Sequence, residues 1–152
     1  MNRNLTVAMT AALMMTGTVS QAQEVNIGRS NITLKSDLMT PEALWAMGRI
    51  GSAQASPDGK KIVYQVGYYS VKENRGHQVL RIMDADGKND KLLTTSAKSE
   101  SDVAWLDNQT LAFLTDGQLW TMSTDGSYRH QLTHSDIAIE GFRFSPDKKR
   151  VV

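Results

Sequence analysis

The side chains of this chain that could do chemistry are few, and their spacing argues against most of it. His130 and His134 stand four apart. On a helix that spacing puts two metal ligands on one face, but on a strand it separates their Cα atoms by about 13 Å. Gln131-Leu132-Thr133 between them reads as strand, so both are expected to be surface histidines, as is His77. Asp84-Ala85-Asp86-Gly87-Lys88-Asn89-Asp90 has the acid spacing of a calcium loop. It sets Lys88 where the fifth-place oxygen ligand belongs and Asn89 where the sixth-place glycine belongs, so a tight turn explains it better. No serine sits in G-x-S-x-G, and neither a P-loop nor H-E-x-x-H occurs. No catalytic residue, metal site or cofactor is expected within these 152 residues. The absence of cysteine excludes disulfides, thiolate chemistry and a lipid anchor on cysteine.

What organises the chain is repetition. Ser-Pro-Asp-Gly-Lys-Lys-Ile-Val-Tyr from Ser56 returns as Trp-Leu-Asp-Asn-Gln-Thr-Leu-Ala-Phe from Trp105, then as Ser-Pro-Asp-Lys-Lys-Arg-Val-Val from Ser145 to the last residue. A second segment starting at Leu80 aligns without gaps on one starting at Leu119, keeping Leu, Met, Asp, Gly, Leu and Thr in register. The offsets are 49, 40 and 39 residues, so the unit is about 40 residues, the length of a propeller blade. A unit of this kind cannot bury its apolar face alone and needs neighbours stacked on it. A third copy that stops in its second strand is expected to be part of something larger.

Within each unit, tight turns alternate with short apolar runs. Ser56-Pro57-Asp58-Gly59 suits a type I turn, and Asp86-Gly87 and Asp125-Gly126 are hairpin dipeptides expected to form type I′ turns. Between them, 62–64, 79–83, 111–114 and 119–122 read as strands. Strand, turn, strand, connection, strand, turn, strand is a four-stranded antiparallel meander. The predicted fold is therefore all-β: a β-propeller of four-stranded antiparallel blades, with about two and a third blades present. The first blade is expected at about 50–97, the second at about 98–137, and the start of the third at 138–152. A helical solenoid of similar period is excluded because Gly and Pro interrupt every candidate helical window. Trp45, Trp105, Trp120, Phe113, Phe142 and Phe144 read as core rather than a binding platform, because Phe113 and Phe144 align with positions of the other units where blades must pack.

The segments before the repeats have different tasks. Residues 1–22 have one charged side chain, Arg3, an uncharged run of roughly 15 residues, and Ser20-Gln21-Ala22 at the expected cleavage point. This reads as an export signal, because the run is too short and too rich in threonine to be a membrane anchor. The protein is expected to be exported, periplasmic or secreted, with no membrane anchor after cleavage. Residues 23–49 read as an arm and a short helix, with Thr40 as cap, Pro41 at the first helical position and Glu42 in the first turn. Leu44 and Trp45 are expected to pack on the first blade. Without Arg3, the 17 Lys plus Arg become 16, against 16 Asp plus Glu. A neutral chain without a basic cluster gives no reason to expect nucleic acid as a partner.

Thr40-Pro41-Glu42, Leu44, Met47-Gly48-Arg49-Ile50-Gly51 and Ser56-Pro57-Asp58-Gly59-Lys60 together resemble the opening of exported bacterial serine peptidases of the prolyl oligopeptidase family, of the dipeptidyl peptidase and acylaminoacyl peptidase kind. The resemblance is most specific over residues 39–94. It implies an N-terminal propeller that limits the access of peptide substrates to a downstream α/β-hydrolase domain of the same chain. The catalytic triad would lie in that domain, so no triad residue can be assigned here. The alternative is a periplasmic Tol-type propeller that acts as a protein-binding scaffold. The Thr-Pro-Glu helix directly before the first blade favours the peptidase.

One stretch exceeds what a blade needs. The first unit joins its second and third strands through fifteen residues, 65–79, where the second unit uses five. The extra residues read as an inserted loop, and its Tyr68, Tyr69, Lys72, Glu73 and Arg75 are the candidate contacts to substrate or to the downstream domain.

Overall fold

The computed structural model describes residues 27–33 and 37–152. The expected export signal at 1–22 lies outside them. Residues 27–33 have no regular secondary structure, and α1 (Pro41–Ala46) starts where its cap dictates: Thr40 Oγ1 accepts the Ala43 amide at 3.2 Å, and Pro41 needs no amide partner in the first turn. The backbone turns extended at Met47.

Two four-stranded antiparallel sheets follow. The first contains β1 (Arg49–Ala55), β2 (Lys61–Ser70), β3 (Arg75–Asp84) and β4 (Lys91–Leu92) in that order. The second contains β5 (Glu100–Trp105), β6 (Thr110–Thr115), β7 (Gln118–Ser123) and β8 (His130–Gln131), again in chain order. The same meander is built twice, down to a register slip in the first strand of each, between Ile50 and Ala53 and between Ser101 and Ala104. Beyond it, Phe144 bridges Val151 at the start of a third copy.

Strand alternation explains how the sheets stack. Leu111 and Phe113 of β6 point toward the first sheet and join Val103, Trp105 and Met122 in one core with Val63, Leu80, Ile82 and Leu93. Ala112 and Leu114 point the other way and, with Leu119, pack on Phe142, flanked by Ile139 and Phe144. The second sheet is thus buried on both faces, which is why β6 reads Leu-Ala-Phe-Leu without polar alternation. Polar ties also cross between sheets: Gln54 donates to the Val103 carbonyl at 2.8 Å, and the Trp105 indole donates to the Gln54 carbonyl at 3.1 Å.

Three expectations need correction. The Asp-Gly hairpins are not type I′. The Gly87 amide bonds to the Asp84 carbonyl and the Gly126 amide to the Ser123 carbonyl, with only the glycine of each pair at positive φ, 83° and 92°. This is a type I turn closed by a left-handed glycine, in which the Asp carboxylate accepts the amide two residues on. Leu44 and Trp45 cover the first sheet only in part: the Trp45 ring packs on Tyr69 of β2 at 4.8 Å, as expected, but neither side chain is buried. They are 46% and 40% exposed, and Ala43 is the residue that α1 buries. The inserted loop is not a loop: β2 runs to Ser70 and β3 starts at Arg75, paired in unbroken register with Tyr68 opposite His77. Val66, Tyr68 and Tyr69 on one side and Val79 on the other are good strand residues, and only 71–74 are needed to turn the chain, with Asn74 at φ 45°.

Candidate functional site: a hairpin extension against the arm and α1

Because the extra residues lengthen a hairpin, their side chains alternate between faces, and the five candidates do not form one cluster. Tyr68 faces a cleft of about 590 Å³ between α1 and the outer face of the first sheet, with Met47, Ile50, Tyr64, Arg81 and Asp90. Tyr69 points to the other side, into a cleft of about 640 Å³ with Ile32, Trp45, Lys72 and Glu73. Arg75 is exposed at the first position of β3, opposite Ser70. Lys72 is 91% exposed and its ammonium lies 3.9 Å from the Glu73 carboxylate.

The tip is fixed locally and by α1. Ser70 Oγ accepts the Glu73 amide at 3.2 Å, and the Tyr69 hydroxyl donates to Asn74 Oδ1 at 2.6 Å. The Tyr69 ring lies 4.8 Å from that of Trp45, whose other partner is the Arg49 guanidinium 5.0 Å from its centroid. Gly48 lets the helix exit pass this closely: a Cβ there would meet the Tyr68 ring at 2.8 Å and Val66 at 2.9 Å.

The 590 Å³ cleft is floored by a polar group that sequence reasoning missed. Arg81 donates to Asp90 through two nitrogens, Nε to Oδ1 at 3.2 Å and Nη2 to Oδ2 at 2.7 Å, and the Tyr64 hydroxyl donates to Oδ1 at 2.7 Å. The bond to Arg81 holds the Asp90 carboxyl below the usual carboxylate range. Burial, then the Asp90 bond, raises the Tyr64 hydroxyl. The repeat alignment held the signal. Residues 64, 81 and 90 correspond to Phe113, Trp120 and Arg129, so the first unit carries a hydrogen-bonded ion pair where the second carries aromatic packing.

In the second unit Arg129 lies 5.1 Å from the Phe113 centroid and 5.3 Å from that of Trp120. Its Nη2 reaches to 3.5 Å from Oε1 of Glu100, a side chain with no exposed surface. Glu100 Oε2 accepts from Thr94 Oγ1 at 3.0 Å, and burial pushes this carboxyl up.

The histidines divide. His130 and His134 are exposed, as expected. His77 is a correction: at 3% exposure it is buried, with both ring nitrogens on backbone carbonyls. The hairpin extension carries it inward, between the arm and the connection from β4 to β5. Among the described residues no group of three acids, histidines or cysteines could hold a metal ion. Nor is any described helix long and apolar enough to cross a membrane.

No protein-family model matches the chain. It is 34% identical over 125 residues to dipeptidyl-peptidase 5 of Porphyromonas endodontalis, which covers 79% of this chain and 18% of that protein. Against dipeptidyl-peptidase 5 of Porphyromonas gingivalis the identity is 32% over 157 positions, covering 100% of the chain and 22% of the relative. The chain is homologous to part of dipeptidyl-peptidase 5. It bears out the dipeptidyl-peptidase resemblance read from the sequence, and it spans about a fifth of either dipeptidyl-peptidase. Among solved structures, the apo form of the AtxE2 isopeptidase superposes with a TM-score of 0.56 at 16% identity, over 72% of this chain and 22% of that one. That likeness is one of fold.

Proposed function

We propose that the chain is the N-terminal, non-catalytic segment of an exported serine peptidase, in which it forms the first blades of a propeller that limits peptide access to a hydrolase domain. The observation that carries this is the alignment of the whole chain with about a fifth of a dipeptidyl-peptidase. Support for the blades comes from two four-stranded meanders stacked face to face at the 40-residue period, with a third begun. Support for export comes from the composition of residues 1–22.

A ring over a hydrolase face would act by size. Short or unfolded peptides thread to the nucleophile, and folded proteins do not. The bond would be cut by acyl transfer from a serine outside these residues. The test is to read the gene beyond codon 152 and assay its full product. A G-x-S-x-G elbow, with release of dipeptides that a serine-directed reagent abolishes, is the expected result. An open reading frame that ends after the repeats, with no hydrolysis, would leave the protein-binding scaffold instead.

A further inference from the structure

An antiparallel meander with an even number of strands returns the chain to the end at which it entered. In the first sheet β1 enters, β2 turns into β3 and β4 leaves at one end, the end that carries α1 and the hairpin extension. In the second sheet β5 enters, β6 turns into β7 and β8 leaves at that same end. The number of further units does not change this. Each meander hands the chain on at this end, so whatever follows the last one starts there.

This end is not level. Tyr64 corresponds to Phe113, so Val66 corresponds to Thr115, where β6 stops. β2 runs four residues further, to Ser70, which is about 13 Å of strand. The surface that this extension shares with the arm and α1 is apolar. Ile32, Trp45 and Val71 meet at the 640 Å³ cleft, and Ile32, Met39, Met47 and Ile50 at the 590 Å³ cleft, so Ile32 joins the two. All of these side chains are exposed, Val71 at the tip by 64%, with Lys72 and Glu73 beside it. The shorter hairpin of the second unit offers Asp116, paired with Lys98 at 3.3 Å, and Gly117 instead. A six-residue helix that buries only Ala43 is too short to hold in water by itself, and exposed apolar surface of this kind marks a contact site. The platform is nevertheless tied down. His77 of the extension places Nδ1 2.6 Å from the Ile27 carbonyl of the arm and Nε2 2.9 Å from the Ser96 carbonyl of the connection between the sheets.

We propose that this face, built from the arm, α1 and the tip of the hairpin extension, is the seat of the domain that follows the repeats. The inference rests on the peptidase reading, which supplies that domain. Two observations choose this occupant. The chain spans 18% and 22% of its dipeptidyl-peptidase relatives, so most of their length is left to provide it. The meander topology delivers that length to the end where the apolar surface stands. The extension then acts as a spacer and a socket: Val71, Trp45 and Met47 are covered by the following domain, and the charged pair Lys72–Glu73 lies at the rim.

The test is photo-cross-linking in the full-length protein, with p-benzoylphenylalanine in place of Val71 in one variant and of Met47 in another, both exposed positions that tolerate replacement. A third variant carries the probe in place of Tyr128, which is exposed at the opposite end of the second sheet. After illumination, cross-linked peptides are located by mass spectrometry. The expected result is that positions 71 and 47 join peptides from beyond the repeats in the same molecule, whereas position 128 does not. Cross-links to the last repeat or to a second copy, or none from either position, would overturn the docking, as would equal capture from position 128. Dipeptide release is measured on the same samples. Active protein without the expected cross-links sinks the docking alone, whereas a chain with no domain after the repeats and no hydrolysis sinks the peptidase reading and the docking with it.

Discussion

Replacing Arg129 with Met removes the counter-charge of a fully buried carboxylate while keeping most of the apolar volume over Phe113 and Trp120. At 3.5 Å the Arg129–Glu100 attraction is about 5 kcal/mol at an effective dielectric of about 20. Arg129 is 31% exposed, so solvent screens roughly half of this. Two cation–π contacts of about 0.5–1 kcal/mol each go as well, partly offset by the methionine side chain. The expected loss is about 3 kcal/mol, at the low end for breaking one partner of a buried pair. It should be seen as roughly 100-fold faster exchange of the β6 and β7 amides in the full-length protein at neutral pH. The sign with pH follows from Glu100. Burial raises its folded value above the unfolded one, so folding is penalised where the carboxyl must ionise. The penalty is absent below the ordinary carboxylate value and grows as pH rises toward the raised one. The Arg129→Met defect should therefore shrink toward pH about 4, and Glu100→Gln added to it should restore most of the loss. A double variant as damaged as Arg129→Met would show that lost packing, not a stranded charge, is the cause, and the reasoning would fail.

Other outcomes follow from single positions. Lys148 occupies the left-handed place that Gly59 fills in the first copy of the turn, at φ 57° against 69°; Lys148→Gly should stabilise by about 1 kcal/mol, read from the unfolding midpoint, and Gly59→Ala should destabilise by about 1–2. Gly48→Ala puts a methyl within 3 Å of Tyr68 and Val66 and should loosen α1 by about 1–3 kcal/mol, visible as faster exchange in 41–46 with the second sheet unchanged. Asp90, whose folded value is lowered, contributes stability that is present above the unfolded carboxylate value and lost as pH falls through the lowered one. Asp90→Asn should remove that acid-side loss, by under about 1 kcal/mol because the pair is partly exposed.

The repeat made most of the architecture legible. Asp and Gly recur where a left-handed residue closes each turn, and a strand buried on both faces announces itself as Leu-Ala-Phe-Leu. Turn type was not legible, because Asp-Gly serves either a two-residue turn or a type I turn followed by glycine, and pairing register decides between them. Length misled at residues 65–79. Fifteen residues between two strands look like a loop until Val66, Tyr68, Tyr69 and Val79 are weighed as strand formers. The same error hid His77, whose burial comes from the arm and from carbonyls 19 to 50 residues away. Tyr64, Arg81 and Asp90 could have been found by asking which core positions of one unit turn polar in the other.

The central claim is that these repeats belong to a peptidase and govern what reaches it. The most direct measurement is dipeptide release by the full-length protein from a short peptide, and from the same sequence displayed on a stably folded protein. The account predicts turnover of the free peptide and none of the folded carrier until it is unfolded. Equal cleavage of both, or cleavage of neither, would contradict it.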